Sequence, residues 1–477
     1  MLRLIPSAAC GIALVLAALP ASAQTTQTER AAAGDVIKEI DALQAKLTPA
    51  KLAERLTTAR NPEKDKLVER VGVLWDGDLQ SLSDWIGRNP EVGWKEFRAV
   101  DTLVKVLRKA GFTVDTGVAG LKTAFVATWV SPAGPGPVLG LIGEYDALRD
   151  TEGPFHGDQH NAQSPVAIAA AVALKEYITA KNLPATIKWY GTPAEEVGPP
   201  AKKIMRDAGI FRGAEILVRS HSSTGTSRAR AGFGICCLNI NEVKYTFTGK
   251  PSHQLTSWFG RNALEAAVHF YTTVDALRST LRPEASIQGV IPEGGAAPNV
   301  VPQRAVVDYY VRYPDGVYLE HMSRMIDNAA KASASAMGVD VAIDRYGEYR
   351  DGITLGTLEE TMFAYAKKLG ATHVDEELGR PAGYEETGGV SHDTPGVGVN
   401  VFSSGGSYHT KAMEADATSP IGHAGFRIDA QIMAAILFDY LTDPVFRGAV
   451  KAEHGTMAGL LNRYQDNLRK AYAAEIQ

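Results

Sequence analysis

The stretch His156-Gly-Asp-Gln-His160-Asn161, followed about thirty-five residues later by Gly191-Thr-Pro-Ala-Glu195-Glu196, decides how this chain is read. Each segment comes just after a predicted strand. Asp158 and His160 offer an oxygen and a nitrogen ligand two residues apart, and adjacent glutamates can divide the work, one binding metal while the other moves protons. The combination points to a metallohydrolase.

Outward from these segments, strands and helices alternate. The run Pro137-Val-Leu-Gly-Leu-Ile-Gly143 is continuously apolar, as strands buried on both faces are, and it ends at Glu144-Tyr145-Asp146. Helices are expected at 164–179 and about 201–208, with strands at 185–190 and 215–219. This is the pattern of an α/β sheet with parallel strands, whose ligands gather outside the carboxyl ends of the strands. Asp146, the Glu195-Glu196 pair and His221 would therefore meet at one edge. A strand at 123–129 and a helix at 98–110 precede this region, and a helix at 358–369, a strand at 398–402 and a closing helix at 424–441 complete it.

The pattern changes after Leu238. A strand near Val243 leads to Gly249-Lys-Pro-Ser-His253, then come a helix at 262–277, strands at 286–291 and 305–311, a helix at 318–337 and a last strand. This βαββαβ order suits a ferredoxin-like insert. Upstream, residues 24–69 read as a helical appendage on the catalytic body, with Ile37, Ile40, Leu43 and Leu47 at helical spacing. The expected organisation is residues 1–23 as a signal peptide, 24–69 as the appendage, 70–238 and 355–477 as the catalytic domain, and 239–354 as the insert.

With 477 residues and 45% hydrophobic content, the chain has material for two packed domains. Arg3, the apolar run Ile12 to Leu19, and Ala21-Ser22-Ala23 before Gln24 form a secretory leader too short to span a bilayer. A periplasmic or secreted chain without membrane attachment is expected once it is removed. Losing Arg3 takes the net charge from −5 to −6. No basic patch suggests a nucleic-acid partner. Of three cysteines, Cys10 leaves with the leader, and Cys236-Cys237 could bridge only through a strained ring, so the pair reads as small buried hydrophobes on a strand.

Seven segments in order resemble the dizinc aminoacylase and glutamate carboxypeptidase family, in its amidohydrolase branch with aminobenzoyl-glutamate hydrolase, over about residues 65–445. They are Gly143-Glu-Tyr-Asp-Ala-Leu148, His156 to Asn161, Gly191 to Glu196, Gly249 to His253, Gly260-Arg-Asn-Ala-Leu264, Pro298-Asn-Val-Val-Pro302 and Tyr408-His-Thr410. The resemblance implies a catalytic α/β/α sandwich of the zinc-peptidase type carrying the insert as a lid and dimerisation domain. It further implies metal ligands at Asp158, His160, Glu196, His221 and His409, with Glu195 as general base. His253 would supply the oxyanion donor across a dimer interface, and Asn299 would contact substrate. Arg312, at the end of its strand, is a candidate for the substrate carboxylate.

Two divalent metal ions are implied, zinc first, with manganese or cobalt as alternatives. The branch usually has Cys-Gly-His-Asn where this chain reads Asp158-Gln-His-Asn161, and aspartate is a harder ligand that can bridge two cations. The expected activity is hydrolysis of N-acyl or N-aroyl amino acids by a homodimer or higher oligomer. A dipeptidase or carboxypeptidase is the nearest alternative, and a noncatalytic binding protein with a degenerate site is the further one. Asp146 is expected to support a ligand histidine or the loop. His156 and His392-Asp393 are assigned to loop architecture, His423 to orienting the last helix, and His269, His321, His373 and His454 to surface or packing roles.

Overall fold

A computed structural model describes residues 24, 26–234, 238–383 and 385–473. The leader and the Cys236-Cys237 pair lie outside the described residues.

The apolar run ending at Gly143 becomes the strand Val138–Gly143, with Leu139, Leu141 and Ile142 buried. It is central to a six-stranded sheet ordered Thr113–Thr116, Phe125–Val130, Thr186–Gly191, Val138–Gly143, Ile216–Ser220, Gly396–Val399. The last four strands are mutually parallel, as expected, while the first two run antiparallel at one edge. The short turn between those two strands explains the reversal, since parallel neighbours would need a long crossover. The helix His160–Ala180 is Ala-rich and buried along most of its length between this sheet and outer helices, which sets Asp158 and His160 directly over the strand ends.

The insert is built as the sequence order requires. Strands Asn239–Thr248, Ser286–Glu293, Arg304–Tyr313 and Asp340–Tyr349 form one antiparallel sheet with Asn239–Thr248 and Arg304–Tyr313 central. Alternation sends Val243, Tyr245, Phe247, Val307, Tyr309 and Val311 into its core, against helices Ala263–Leu277 and Gly316–Met337. The chain re-enters the catalytic body by pairing Gly352–Thr354 with Gly232–Gly234.

The helical appendage is three helices, Gln27–Leu47, Pro49–Thr58 and Pro62–Leu74. Breaks fall at Thr48, which turns left-handed before Pro49, and at Asn61, whose side chain caps the third helix. That helix runs through residue 69 because Leu67 and Val71 continue its buried stripe. Lys64 on it is buried and donates to Asp439 Oδ1 and Tyr365 Oη, both at 2.7 Å, and to Leu56 O at 2.8 Å, tying the appendage to the body. The helix Pro444–Ala473 was not expected, although Val450, Met457, Leu461, Tyr464, Leu468 and Tyr472 have the spacing for it, and it packs on Gln27–Leu47. Among the described residues no helix is long and apolar enough to cross a membrane.

Candidate metal centre

Strand ends deliver the polar residues to one place. Asp146 follows Val138–Gly143, Glu195 and Glu196 follow Thr186–Gly191, His221 follows Ile216–Ser220, and His409 comes ten residues after Gly396–Val399. Asp158 Oδ2 lies between two histidines, 3.7 Å from His221 Nε2 and 3.6 Å from His409 Nε2. Glu196 likewise spans two, with Oε1 at 4.0 Å from His160 Nε2 and Oε2 at 3.7 Å from the same His409 Nε2. A cation bonded at about 2.1 Å to two donors separates them by roughly this much. Glu195, half-buried, shares a group of converging ligand atoms with His160 and Glu196.

Neighbouring groups fix these donors. Asp146 Oδ1 accepts from His160 Nδ1 at 3.0 Å and Oδ2 from the Glu196 amide at 3.0 Å, so one carboxylate orients both and leaves His160 Nε2 facing the cluster. Ser222 Oγ donates to Asp158 Oδ1 at 2.6 Å, leaving Oδ2 for the histidines. Gln159 is left-handed (φ 55) and buried; its amide donates to Ser403 O and Met413 O, while Ser403 Oγ donates to its Oε1. The His409 amide donates to Gly157 O at 2.9 Å, which couples the loop of His409 to that of Asp158.

The electrostatics fit a cation. Burial pushes the Glu196 carboxyl up to about 8 despite His160 beside it, the mark of a carboxylate enclosed without enough positive charge. Burial also opposes ionisation of Asp158, but His221, His409 and His160 hold it below the usual range. His160 Nε2 is buried with no hydrogen-bond partner among the described residues, facing carboxylates. Nitrogen and carboxylate donors of this number suit zinc, manganese or cobalt.

A further carboxylate, Glu144, was missed by the sequence reading. Glu144 Oε2 is 3.5 Å from His160 Nε2, and its Oε1 is 2.8 Å from Lys202 Nζ and 3.6 Å from Arg219 Nη1. Glu144, Lys202 and Arg219 are all buried, and the two cations outweigh desolvation to keep Glu144 ionised. Its position at the end of a strand buried on both faces was the available signal.

The lid residues stand apart from this cluster. His253 and Asn299 are exposed neighbours on the lid rim, where the Gln254 amide bonds Asn299 O and His253 Nδ1 accepts from the Leu255 amide. Arg312 is half-buried on the sheet face opposite the lid helices. His156 differs from an ordinary loop histidine: it is fully buried beside His160, and burial lowers it to about 3. His392 bonds the backbone of Asp351, and His423 Nε2 lies 2.7 Å from Asp84 Oδ1, in keeping with architectural roles.

Residues 238–337 match the family model described as a peptidase dimerisation domain. The mouse Xaa-Arg dipeptidase is 31% identical over 347 residues, covering 70% of this chain and 76% of that protein. The chain belongs to the M20 metallopeptidase family. As an M20 enzyme it hydrolyses amide or peptide bonds. A p-aminobenzoyl-glutamate hydrolase polypeptide of Escherichia coli is 31% identical over 271 residues, covering 53% of this chain and 54% of that one. A Bacillus subtilis dinuclear metal-binding peptidase of the M20 family shares the fold at TM-score 0.51, with 16% identity, over 75% of this chain and 98% of its own. Among the described residues, groups of converging His, Asp and Glu side chains could hold a metal ion here.

Proposed function

We propose that this M20 enzyme is an exported, zinc-dependent amidohydrolase that cleaves N-acyl or N-aroyl amino acids. The observation that carries the reading is the convergence of Glu195 with Asp158, His160, Glu196, His221 and His409 at one sheet edge. Likeness to the p-aminobenzoyl-glutamate hydrolase supports the acyl substrate, and likeness to the Xaa-Arg dipeptidase supports a dipeptidase as second reading. The leader at residues 1–23 supports export.

Bound divalent cations would supply Lewis acidity at the scissile carbonyl and lower the pKa of the attacking water towards roughly 7. Asp158, His160, Glu196, His221 and His409 would hold them. Glu195 takes the proton from the attacking water and returns it to the leaving amine as the tetrahedral adduct collapses. Asp146 keeps His160 and Glu196 aimed while this happens.

His253, delivered by the lid of a second copy, donates to the oxyanion, while Asn299 and Arg312 bind substrate, Arg312 at its carboxylate. Exposed Leu255, Trp258 and Phe259 beside His253, with Val290 on the edge strand, support dimerisation through this face.

The test is metal analysis of the purified mature protein alongside hydrolysis of a panel of N-acyl amino acids and dipeptides, for wild type and Glu195→Gln. Bound zinc with activity abolished by the substitution is expected. Protein that stays inactive after zinc, manganese or cobalt is added would overturn the reading.

A further inference from the structure

The turn Glu91-Val-Gly-Trp-Lys-Glu96 lies beneath the loop that carries Glu195, and it touches that loop at three points. Glu96 Oε1 accepts from the Ala194 amide at 2.8 Å. Trp94 Nε1 donates to Gly198 O at 3.4 Å. Gly93 packs so closely that a Cβ there would lie 2.3 Å from Val197 Cγ2 and 3.0 Å from Ala194 Cα. The same turn grips the adjoining ligand loop, where Glu91 O accepts from the Ala147 amide at 2.9 Å, one residue beyond Asp146.

Two features set Glu96 apart from a carboxylate that merely packs. It occupies the N-cap position of helix Phe97–Lys109 yet makes no capping hydrogen bond there. The exposed amides of that helix are served by Glu91 instead, whose carboxylate accepts from Arg98 N and Ala99 N, both at 2.9 Å. Glu96 is thereby free to reach a loop distant in sequence, although it is fully buried and ionisation there is costly. Its partner, Ala194, has φ 55, a left-handed conformation that is strained for an alanine and needs outside support. Ala194 immediately precedes Glu195.

We propose that Glu96 is a positioning residue for hydrolysis: through the Ala194 amide it holds the left-handed turn that aims Glu195. The inference rests on Glu195 being the general base. A side chain acting this way controls the chemical step and leaves metal loading and substrate binding alone.

The test uses the full mature chain loaded with zinc and a panel substrate that wild type hydrolyses, comparing Glu96→Ala, Glu96→Gln and Glu96→Asp, with Glu96→Ala also placed in the Glu195→Gln background. Glu96→Ala should lower kcat about 100-fold, with KM changed less than about threefold and metal content unchanged. Glu96→Gln keeps an acceptor for the Ala194 amide and should return kcat to within about threefold of wild type, whereas the shorter Glu96→Asp should fall about tenfold. In the Glu195→Gln background Glu96→Ala should cost less than about twofold, because the group it positions is already gone.

A crystal structure of Glu96→Ala should find Ala194 outside the left-handed region. Unchanged activity in Glu96→Ala, an equal loss in both backgrounds, or Ala194 still left-handed would overturn the inference while leaving Glu195 as base. Retained activity in Glu195→Gln alone would instead remove the base assignment and this inference with it. Should Glu96→Ala not fold, the Gln and Asp variants decide, since high activity in Asp with low activity in Gln would mean that charge and not the Ala194 hydrogen bond matters.

Discussion

Asp158, His160 and His221 are buried and the Glu196 side chain is nearly enclosed, all at one sheet edge and held by Asp146, Ser222 and the backbone, whereas His253 and Asn299 stand in solvent on the lid, ringed by exposed Leu255, Trp258 and Phe259. The first group is preorganised within one domain of one chain. The second is placed on a surface whose apolar neighbours are themselves uncovered. On the proposed reading, the contrast makes metal binding a property of the single chain and completion of the catalytic site a property of an assembly. Preorganised donors need little rearrangement to act, and exposed ones must be brought in.

Variants on the two sides of that divide should behave differently. Glu195→Gln should lower kcat by about 1,000-fold or more with metal content unchanged, measured by steady-state kinetics and elemental analysis. His253→Ala should lower kcat by about 100- to 1,000-fold, again with metal retained. Mixing the two inactive proteins sharpens the comparison. If His253 serves the partner's site, each hybrid dimer has one intact site, and random exchange should restore about a quarter of wild-type activity. No recovery after demonstrated exchange would place His253 on its own chain's site.

Asp146→Ala acts on the buried side, and a competitive chelator titration should find metal affinity lowered about 10- to 100-fold. Asp158→Cys should have the smallest effect, changing activity less than about tenfold while moving metal preference towards zinc over manganese, because thiolate is the softer ligand.

The buried side was also the more legible in sequence. Strand Val138–Gly143 was readable because burial on both faces demands an unbroken apolar run, and Asp146, Glu195-Glu196 and His221 were readable because parallel strands deliver their carboxyl ends to one edge. The sheet order 4-1-3-2 of the insert, counted from Asp340–Tyr349 to Ser286–Glu293, followed from its βαββαβ sequence. Glu144, Lys202 and Arg219 were not found, because a buried ion cluster depends on three distant side chains meeting and leaves no periodic trace. Glu96 was hidden for another reason: at a helix start a glutamate reads as ordinary helix chemistry, and only the folded chain reveals that Glu91 has taken over that work. The helix Pro444–Ala473 carries a legible spacing of its own, which the stronger motifs upstream overshadow.

Anomalous diffraction from crystals of the zinc-loaded protein tests the central claim most directly. Two peaks per chain are predicted, bonded to Asp158 or Glu196 as shared carboxylates, with His160, His221 and His409 divided between them and Glu144 left to Lys202. A single peak, or an ion ligated by Glu144 with Asp158 unbound, would contradict the account.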